Sequence, residues 1–320
     1  IDKLTRRHFM AVSTATALSG LAPRVNAAEV VPGKKSPNED LRVAGIGVGG
    51  KGTGDIMSCR RENIVALCDP DAERAREAFE RLPDAKRYTD YREMLEMENL
   101  DAVTISTPDH SHAPAAYLAM MKGLHCYVQK PLTQTVAEAR LLTTLAREQG
   151  VVTQMGNQGH CRDGVRELCE IFWDGAIGDV REVHIWTNRP VWPQGIENAL
   201  PERPVPDNMA WDTWLGPAPM RPYNPAYAPF NWRGWWDFGA GALGDMGCHI
   251  MDPANWALKL NDAPSFTVEL VEQEGNTEQA FPNKSVVKYS FDARGDMPAV
   301  DLYWYDGGLL PDHPEDIPAD

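Results

Sequence analysis

From residue 41 to about 156, short apolar and β-branched runs alternate with stretches in which apolar positions recur at helical spacing. The runs 41–48, 64–69, 86–88, 102–106, 125–128 and 151–154 predict six strands, and 52–60, 71–82, 90–98, 112–122 and 135–149 predict the helices between them. Strand–helix alternation demands crossover connections, hence a parallel sheet with helices on both faces. Six strands in this arrangement predict a doubly wound, Rossmann-type α/β sheet over 41–156. After Gly156 the texture changes. Residues 186–238 are dense in Pro, Trp and Asn with little periodicity, which predicts a long ordered loop region whose aromatics pack. Alternating runs at 180–187, 266–273, 284–291 and 299–305 predict a C-terminal α+β domain over 157–320 with an open, largely antiparallel sheet. The Pro/Asp-rich end, 306–320, offers no closing element and is expected to be a truncation.

The first 40 residues follow a different logic. Lys3, Arg6 and Arg7 precede an apolar, small-residue run from Phe9 to Ala22, and Val25-Asn26-Ala27 offers a small-residue cleavage site. That order describes a secretory leader, and Arg-Arg marks the twin-arginine type. The run is shorter than the roughly 20 residues a membrane span needs, so no stable membrane insertion is expected after processing. Residues 1–28 are therefore read as the leader and 29–40 as a linker, with an amphipathic first helix as the alternative. The expected partner is the twin-arginine translocase, which carries folded cargo, and the expected location is periplasmic or otherwise extracytoplasmic.

Hydrophobic residues make up 43% of the 320-residue chain and charged residues 24%, a globular balance. The formal charge of −15 argues against nucleic acid and against anionic lipid as partners. The six cysteines lack metal-ligand spacing, and a chain that folds before export is not expected to rely on disulfides.

The candidate chemistry begins at the end of the first strand. Gly45, Gly47 and Gly50 of GIGVGG fill G-x-G-x-x-G, which permits a tight turn, close approach of a pyrophosphate and close packing of helix on strand. With Val48 and Gly49 they form the expected dinucleotide loop, the pyrophosphate resting on the next helix start. Asp69 follows Gly50 at the end of the second strand, where an acid binds ribose hydroxyls; it favours NAD, while Arg74 keeps NADP open. Thr107-Pro108-Asp109-His110-Ser111-His112 lies just past the fourth strand, where ligands bind in open α/β sheets. Thr107, Pro108 and His112 are expected at the cofactor, although Asp109 or Ser111 could equally cap a helix. Two close histidines invite a metal, but no third ligand is evident and none is expected. Lys130 follows the fifth strand and points towards the same crevice. Asp245 and His249 are spaced i, i+4 and share a helix face, with Pro253 expected to kink or end that helix. Such a pair suits proton transfer near neutral pH, or a capped structural histidine. Trp211, Trp214, Trp232, Trp235 and Trp236 could stack on a sugar or simply pack.

These segments, together with GNQGH at 156–160 and WWDFGAGALGDMGCHIMD at 235–252, resemble the glucose–fructose oxidoreductase, inositol dehydrogenase and rhizopine-catabolism family (Gfo/Idh/MocA) over about residues 41–310. With the twin-arginine leader, the chain looks like an exported subgroup. The resemblance implies a dinucleotide domain joined to an α/β domain whose open sheet mediates assembly, so a homo-oligomer is expected. It also implies that Lys130 is the lysine of the family's E-K-P motif, beside nicotinamide and reacting hydroxyl, and that His249 is the general base paired with Asp245. One departure is Gln129, which replaces the motif's glutamate and must alter the hydrogen bonding around Lys130.

The expected function is NAD(P)-dependent oxidoreduction of a carbohydrate hydroxyl with a retained cofactor, Trp235, Trp236 and Asn157 contacting the substrate. An exported enzyme has no free nucleotide pool, so the cofactor must be recycled in place. Either a second sugar accepts the hydride, or a transient ketone permits elimination and hydration of a glycoside with no net redox change. A non-catalytic nucleotide- or sugar-binding protein is the alternative from another class.

Overall fold

The computed structural model describes residues 40–314; the expected twin-arginine leader (1–28) and the expected linker up to residue 39 lie outside the described residues. Six parallel strands form the first sheet: β1 (Arg42–Ile46), β2 (Asn63–Cys68), β3 (Lys86–Tyr88), β4 (Ala102–Ile105), β5 (His125–Gln129) and β6 (Thr153–Gly156). Their order, β3-β2-β1-β4-β5-β6, is that of a doubly wound sheet, with the switch point between β1 and β4. The crossover helices are α1 (Lys51–Ser58), α2 (Arg76–Arg81), α3 (Tyr91–Met97), α4 (His112–Met121) and α5 (Val136–Gln149). Both faces are covered, so the central strands bury nearly every residue, as Ala44, Ile46, Val103, Ile105 and Val128 show.

Most boundaries shift by a residue or two from the periodicity, and two of the shifts have a local cause. The last strand starts at Thr153 rather than 151, because Gly150 closes α5 in a left-handed turn and Val151 N–H donates to Ala146 O at 3.1 Å. The helix expected over 71–82 begins only at Arg76. Before it, the Asp71 carboxylate accepts from the N–H groups of Glu73 and Arg74 and holds a turn instead.

Helix α6 (Asp163–Trp173), not among the expected elements although Val165, Leu168, Cys169 and Phe172 recur at helical spacing, leads to a second sheet of β7 (Glu182–Trp186), β8 (Phe266–Glu274), β9 (Lys284–Phe291) and β10 (Val300–Tyr305). Its order is β7-β10-β9-β8: β10 pairs parallel with β7, and the other pairs are antiparallel. All four expected runs form strands, and the sheet is mixed. One face packs Ile185, Leu302 and Trp304 against residues of α6, α8 (Gly241–Ile250) and α9 (Asp252–Ala257). Pro253 stands at the start of α9, so the α8–α9 break falls where its missing N–H requires.

The stretch 186–238 is ordered and carries α7 (Trp211–Leu215). Trp211, Trp214, Tyr227, Trp232, Trp235 and Phe238 bury one another in a single aromatic cluster. Buried His110 fastens this cluster to the first sheet: its ring nitrogens lie 3.2 Å from Phe238 O and 3.2 Å from Trp214 O. Backbone bonds from Ala72 N to Asn208 O and from Ala210 N to Pro70 O add to the seam. Trp235, 1% exposed, is central to the cluster. Replacing it with alanine is expected to cost about 3–5 kcal/mol, through lost burial and the cavity left behind. Denaturant unfolding should show that loss; a change below about 1 kcal/mol would mean the cluster is peripheral.

Among the described residues no helix is long and apolar enough to cross a membrane, and all six cysteines are free thiols.

Candidate active site

A cavity of about 340 Å³ opens beyond the carboxyl ends of β1, β2, β4 and β5 and is roofed by the aromatic segment. The glycine turn forms its inner end. Gly47 has φ +74°, and a Cβ there would lie 2.7 Å from Thr107 N. Gly50 caps α1 with φ 58° and no side-chain bond, so no side chain competes with an anion at this helix start, although Gly52 N–H donates to Gly49 O at 3.2 Å. The close approach of helix to strand belongs to Gly52 instead, where a Cβ would sit 1.8 Å from Gly47 O. Gly45 leaves room for Val48, whose carbonyl accepts from Thr53 Oγ1 at 2.8 Å. Asp69 joins the turn to β2: its Oδ2 accepts from Gly49 N–H at 3.0 Å and its Oδ1 from Asp71 N–H at 2.9 Å. Burial raises its pKa to about 6, against the lowering effect of those donors. The Arg74 side chain lies across Gly49 and Gly50. A turn closed to any Cβ at Gly47, a helix start without a side-chain cap and an acid at the end of β2 fit a dinucleotide.

Thr107, Pro108 and His112 stand in the cavity wall. His112 is fully buried, its ring nitrogens 2.8 Å from Thr107 O and 2.7 Å from Pro131 O. It therefore ties the loop after β4 to the loop after β5, and burial holds its pKa down. No group of three or more potential metal ligands occurs among the described residues.

Lys130 and Asp245 meet in the same wall. Lys130 Nζ donates to Asp245 O at 2.8 Å and to Asp245 Oδ1 at 3.0 Å. Arg233 Nε donates to that same Oδ1 at 3.1 Å, and its guanidinium lies 4.3 Å from the centre of the Trp232 ring. Arg233 stands in an unperiodic loop, and nothing in the sequence marks it. The expected Asp245–His249 pairing needs correction. The two share a face of α8, but the Asp245 carboxylate is drawn to the two cations. His249 Nδ1 donates instead to Asn157 Oδ1 at 3.2 Å. That bond fixes the tautomer that leaves a lone pair on Nε2, and burial keeps the imidazole pKa below its ordinary value, with Lys130 adding to the effect. His249 and Asn157 lie outside the cavity lining.

Gln129 is buried and donates to Asp55 Oδ2 at 2.8 Å, where Ser106 Oγ also donates at 2.9 Å. Lys51 pairs with the other oxygen of Asp55. Asp55 thus braces α1 against the ends of β4 and β5, and a glutamate at 129 would set two carboxylates in contact.

The tryptophan expectations also change. Trp235 is spent in the core and cannot stack on a ligand, while Trp236 packs on Phe281 and donates to Thr277 O at 3.0 Å. Trp214, Phe230 and Trp232 present rings to the cavity in their place.

Two family models match: the NAD-binding Rossmann fold of the Gfo/Idh/MocA oxidoreductase family over residues 41–157, and the C-terminal alpha/beta domain of that family over 180–296. A glycosyl hydrolase family 109 protein of Shewanella pealeana is 34% identical over 205 residues, which are 56% of this chain and 44% of the relative. An alpha-N-acetylgalactosaminidase of Shewanella oneidensis is 32% identical over 207 residues, 56% of this chain and 45% of the relative. The chain thus spans less than half the length of these curated relatives. The WlbA dehydrogenase of Bordetella pertussis, solved with NADH and UDP-GlcNAcA, superposes with a TM-score of 0.61 at 18% identity, covering 85% of this chain and 74% of that one. Matched by both models over most of its length, the chain belongs to the Gfo/Idh/MocA oxidoreductase family and carries its NAD-binding Rossmann domain.

Proposed function

We propose that the protein oxidises a ring hydroxyl of a sugar or sugar derivative, using NAD that it holds throughout the catalytic cycle. The observation that carries this reading is the Lys130–Asp245 pair, set in the wall of the cavity that the glycine turn closes at its other end. NAD bound there supplies the acceptor for the hydride of the carbinol carbon. Lys130 spends two N–H donors on Asp245 and keeps the third for the reacting oxygen, stabilising the negative charge that develops on it. Asp245 and Arg233 hold the ammonium in place. His249, neutral and with Nε2 as its acceptor, stands outside the cavity lining and is the base this reading assigns to the hydroxyl proton of a substrate that reaches past Lys130. The aromatic roof limits the access of water. Transport by the twin-arginine route, with the nucleotide already enclosed, accords with this reading.

His249→Ala is expected to lower turnover about 10²–10⁴-fold while bound nucleotide stays. Steady-state rates beside the near-ultraviolet spectrum of the purified protein test this, and undiminished turnover would reject the base assignment.

A second reading is redox-neutral glycoside hydrolysis through a transient keto sugar, favoured by the relatives named for glycosyl hydrolase family 109. Purified protein given 4-nitrophenyl α-N-acetylgalactosaminide or free sugars, without added NAD, separates the two. Release of nitrophenol with no lasting change in nicotinamide absorbance supports hydrolysis. A lasting change with free sugar supports net oxidoreduction. Silence in both, with nucleotide bound, rejects catalysis on these compounds.

A further inference from the structure

One buried carboxyl in the cavity wall plays no part in the chemistry so far. Asp109, at the start of the turn that enters α4, is 4% exposed, lines the cavity together with Lys130 and Asp245, and has no hydrogen-bond partner on Oδ2. Burying an unbonded carboxylate is costly, so such a group either carries a proton or awaits a donor from a ligand. Its neighbours explain why it is neither fully ionised nor fully neutral. Burial, with a smaller push from Asp245, outweighs the pull of Lys130 and Arg233 towards the charged form and brings its pKa to about 7. Of the other titratable groups nearby, His110 and His112 are held neutral by burial, and the Cys248 thiol is pushed up, in part by Asp109 itself. Asp69, the other carboxyl of the cavity brought near neutral, is held by two backbone donors at the glycine turn, whereas Asp109 stands beside Lys130 and Asp245 with Oδ2 unpartnered and can give up a proton and take it back.

Sugar oxidation alone has no use for a second acid, since its only proton leaves the hydroxyl. Cleavage of a glycoside does need one. We propose that Asp109 is the acid that protonates the departing glycosidic oxygen, and that the cavity is accordingly built for redox-neutral glycoside cleavage. This rests on the hydrolytic reading above. Once the ring hydroxyl has become a ketone, the carbon between ketone and anomeric centre loses its proton to His249, which exchanges with solvent. That C–H pair forms a C=C bond as the anomeric C–O bond breaks. The departing oxygen keeps the electron pair of the broken bond, takes the proton of Asp109 and leaves as the free alcohol. Asp109, now a carboxylate, regains its proton from solvent; a water oxygen bonds to the anomeric carbon and gives its proton to solvent, and the neighbouring carbon regains its proton from His249. Return of the hydride restores the hydroxyl, so no electrons are gained or lost overall.

The test compares wild type with Asp109→Asn on paired methyl and 4-nitrophenyl glycosides of N-acetylgalactosamine, galactose and glucose, using holoprotein with its retained nucleotide. Nitrophenolate leaves without acid assistance and methanol does not. The variant should lose about 10²-fold or more on the methyl glycoside and stay within about threefold on the nitrophenyl one. The acid must hold its proton to act, so wild-type methyl-glycoside cleavage should fall as pH rises through the Asp109 range, and that limb should vanish in the variant. Equal slowing of both substrates, or no slowing of either, overturns the assignment while the hydrolytic reading stands. Wild type that retains nucleotide yet cleaves none of the six glycosides overturns both.

Discussion

Lys130→Met is expected to reduce turnover about 10³-fold while NAD remains bound. The substitution keeps much of the side chain's length and removes its charge. The lost interaction is the ammonium's stabilisation of the reacting oxygen, and removal of one such donor ordinarily costs about 2.7–4 kcal/mol of barrier. The fold should tolerate the change better than most broken buried pairs, which cost about 3–5 kcal/mol, because Arg233 still neutralises the Asp245 carboxylate at 3.1 Å. The prediction thus separates chemistry from stability: turnover collapses, whereas melting temperature and nucleotide absorbance change little. A variant keeping more than about a tenth of wild-type turnover would remove Lys130 from the mechanism.

Gly47→Ala should do the reverse and abolish cofactor retention by deforming the cradle. At φ +74° an L-residue is already strained by about 1–2 kcal/mol. The added methyl would meet Thr107 N at 2.7 Å, Ser106 C at 2.8 Å and Ser106 O at 2.9 Å. All three are backbone atoms at the end of β4, so no flexible side chain can move aside, and overpacking adds about 1–3 kcal/mol. Gly54→Ala is the natural control. It lies in α1, with nothing within 4 Å of its Cβ position, and should stabilise the helix by up to about 1 kcal/mol. Melting curves and the spectrum of co-purified nucleotide report both variants. Retained nucleotide in Gly47→Ala would mean that the turn does not form the cofactor site.

Much of the scaffold is legible in the order of residues alone. The parallel strands show because a sheet covered on both faces needs continuous apolar runs, and the four later strands show through their alternation. The glycine turn shows because its constraints are local: a positive φ and a missing Cβ are properties of single residues. The Asp245–His249 spacing is readable too, but a bond between them does not follow from it. Sharing a helix face says nothing about which cations and amides arrive from elsewhere, and Arg233, Lys130 and Asn157 come from three other segments. Trp235 illustrates the same limit, since a tryptophan in an aromatic-rich loop reads alike whether it faces a core or a ligand.

What the chain's sequence determined by itself is the element order, the dinucleotide turn and the residue types available for proton and charge transfer, because each follows from contacts near in sequence. Only the tertiary structure decided who pairs with whom: Asp245 with two cations, His249 with Asn157, Gln129 with Asp55, and Asp109 with no partner on Oδ2. Those outcomes depend on long-range packing, in which burial and competing partners set each group's charge state, and no local pattern encodes that competition.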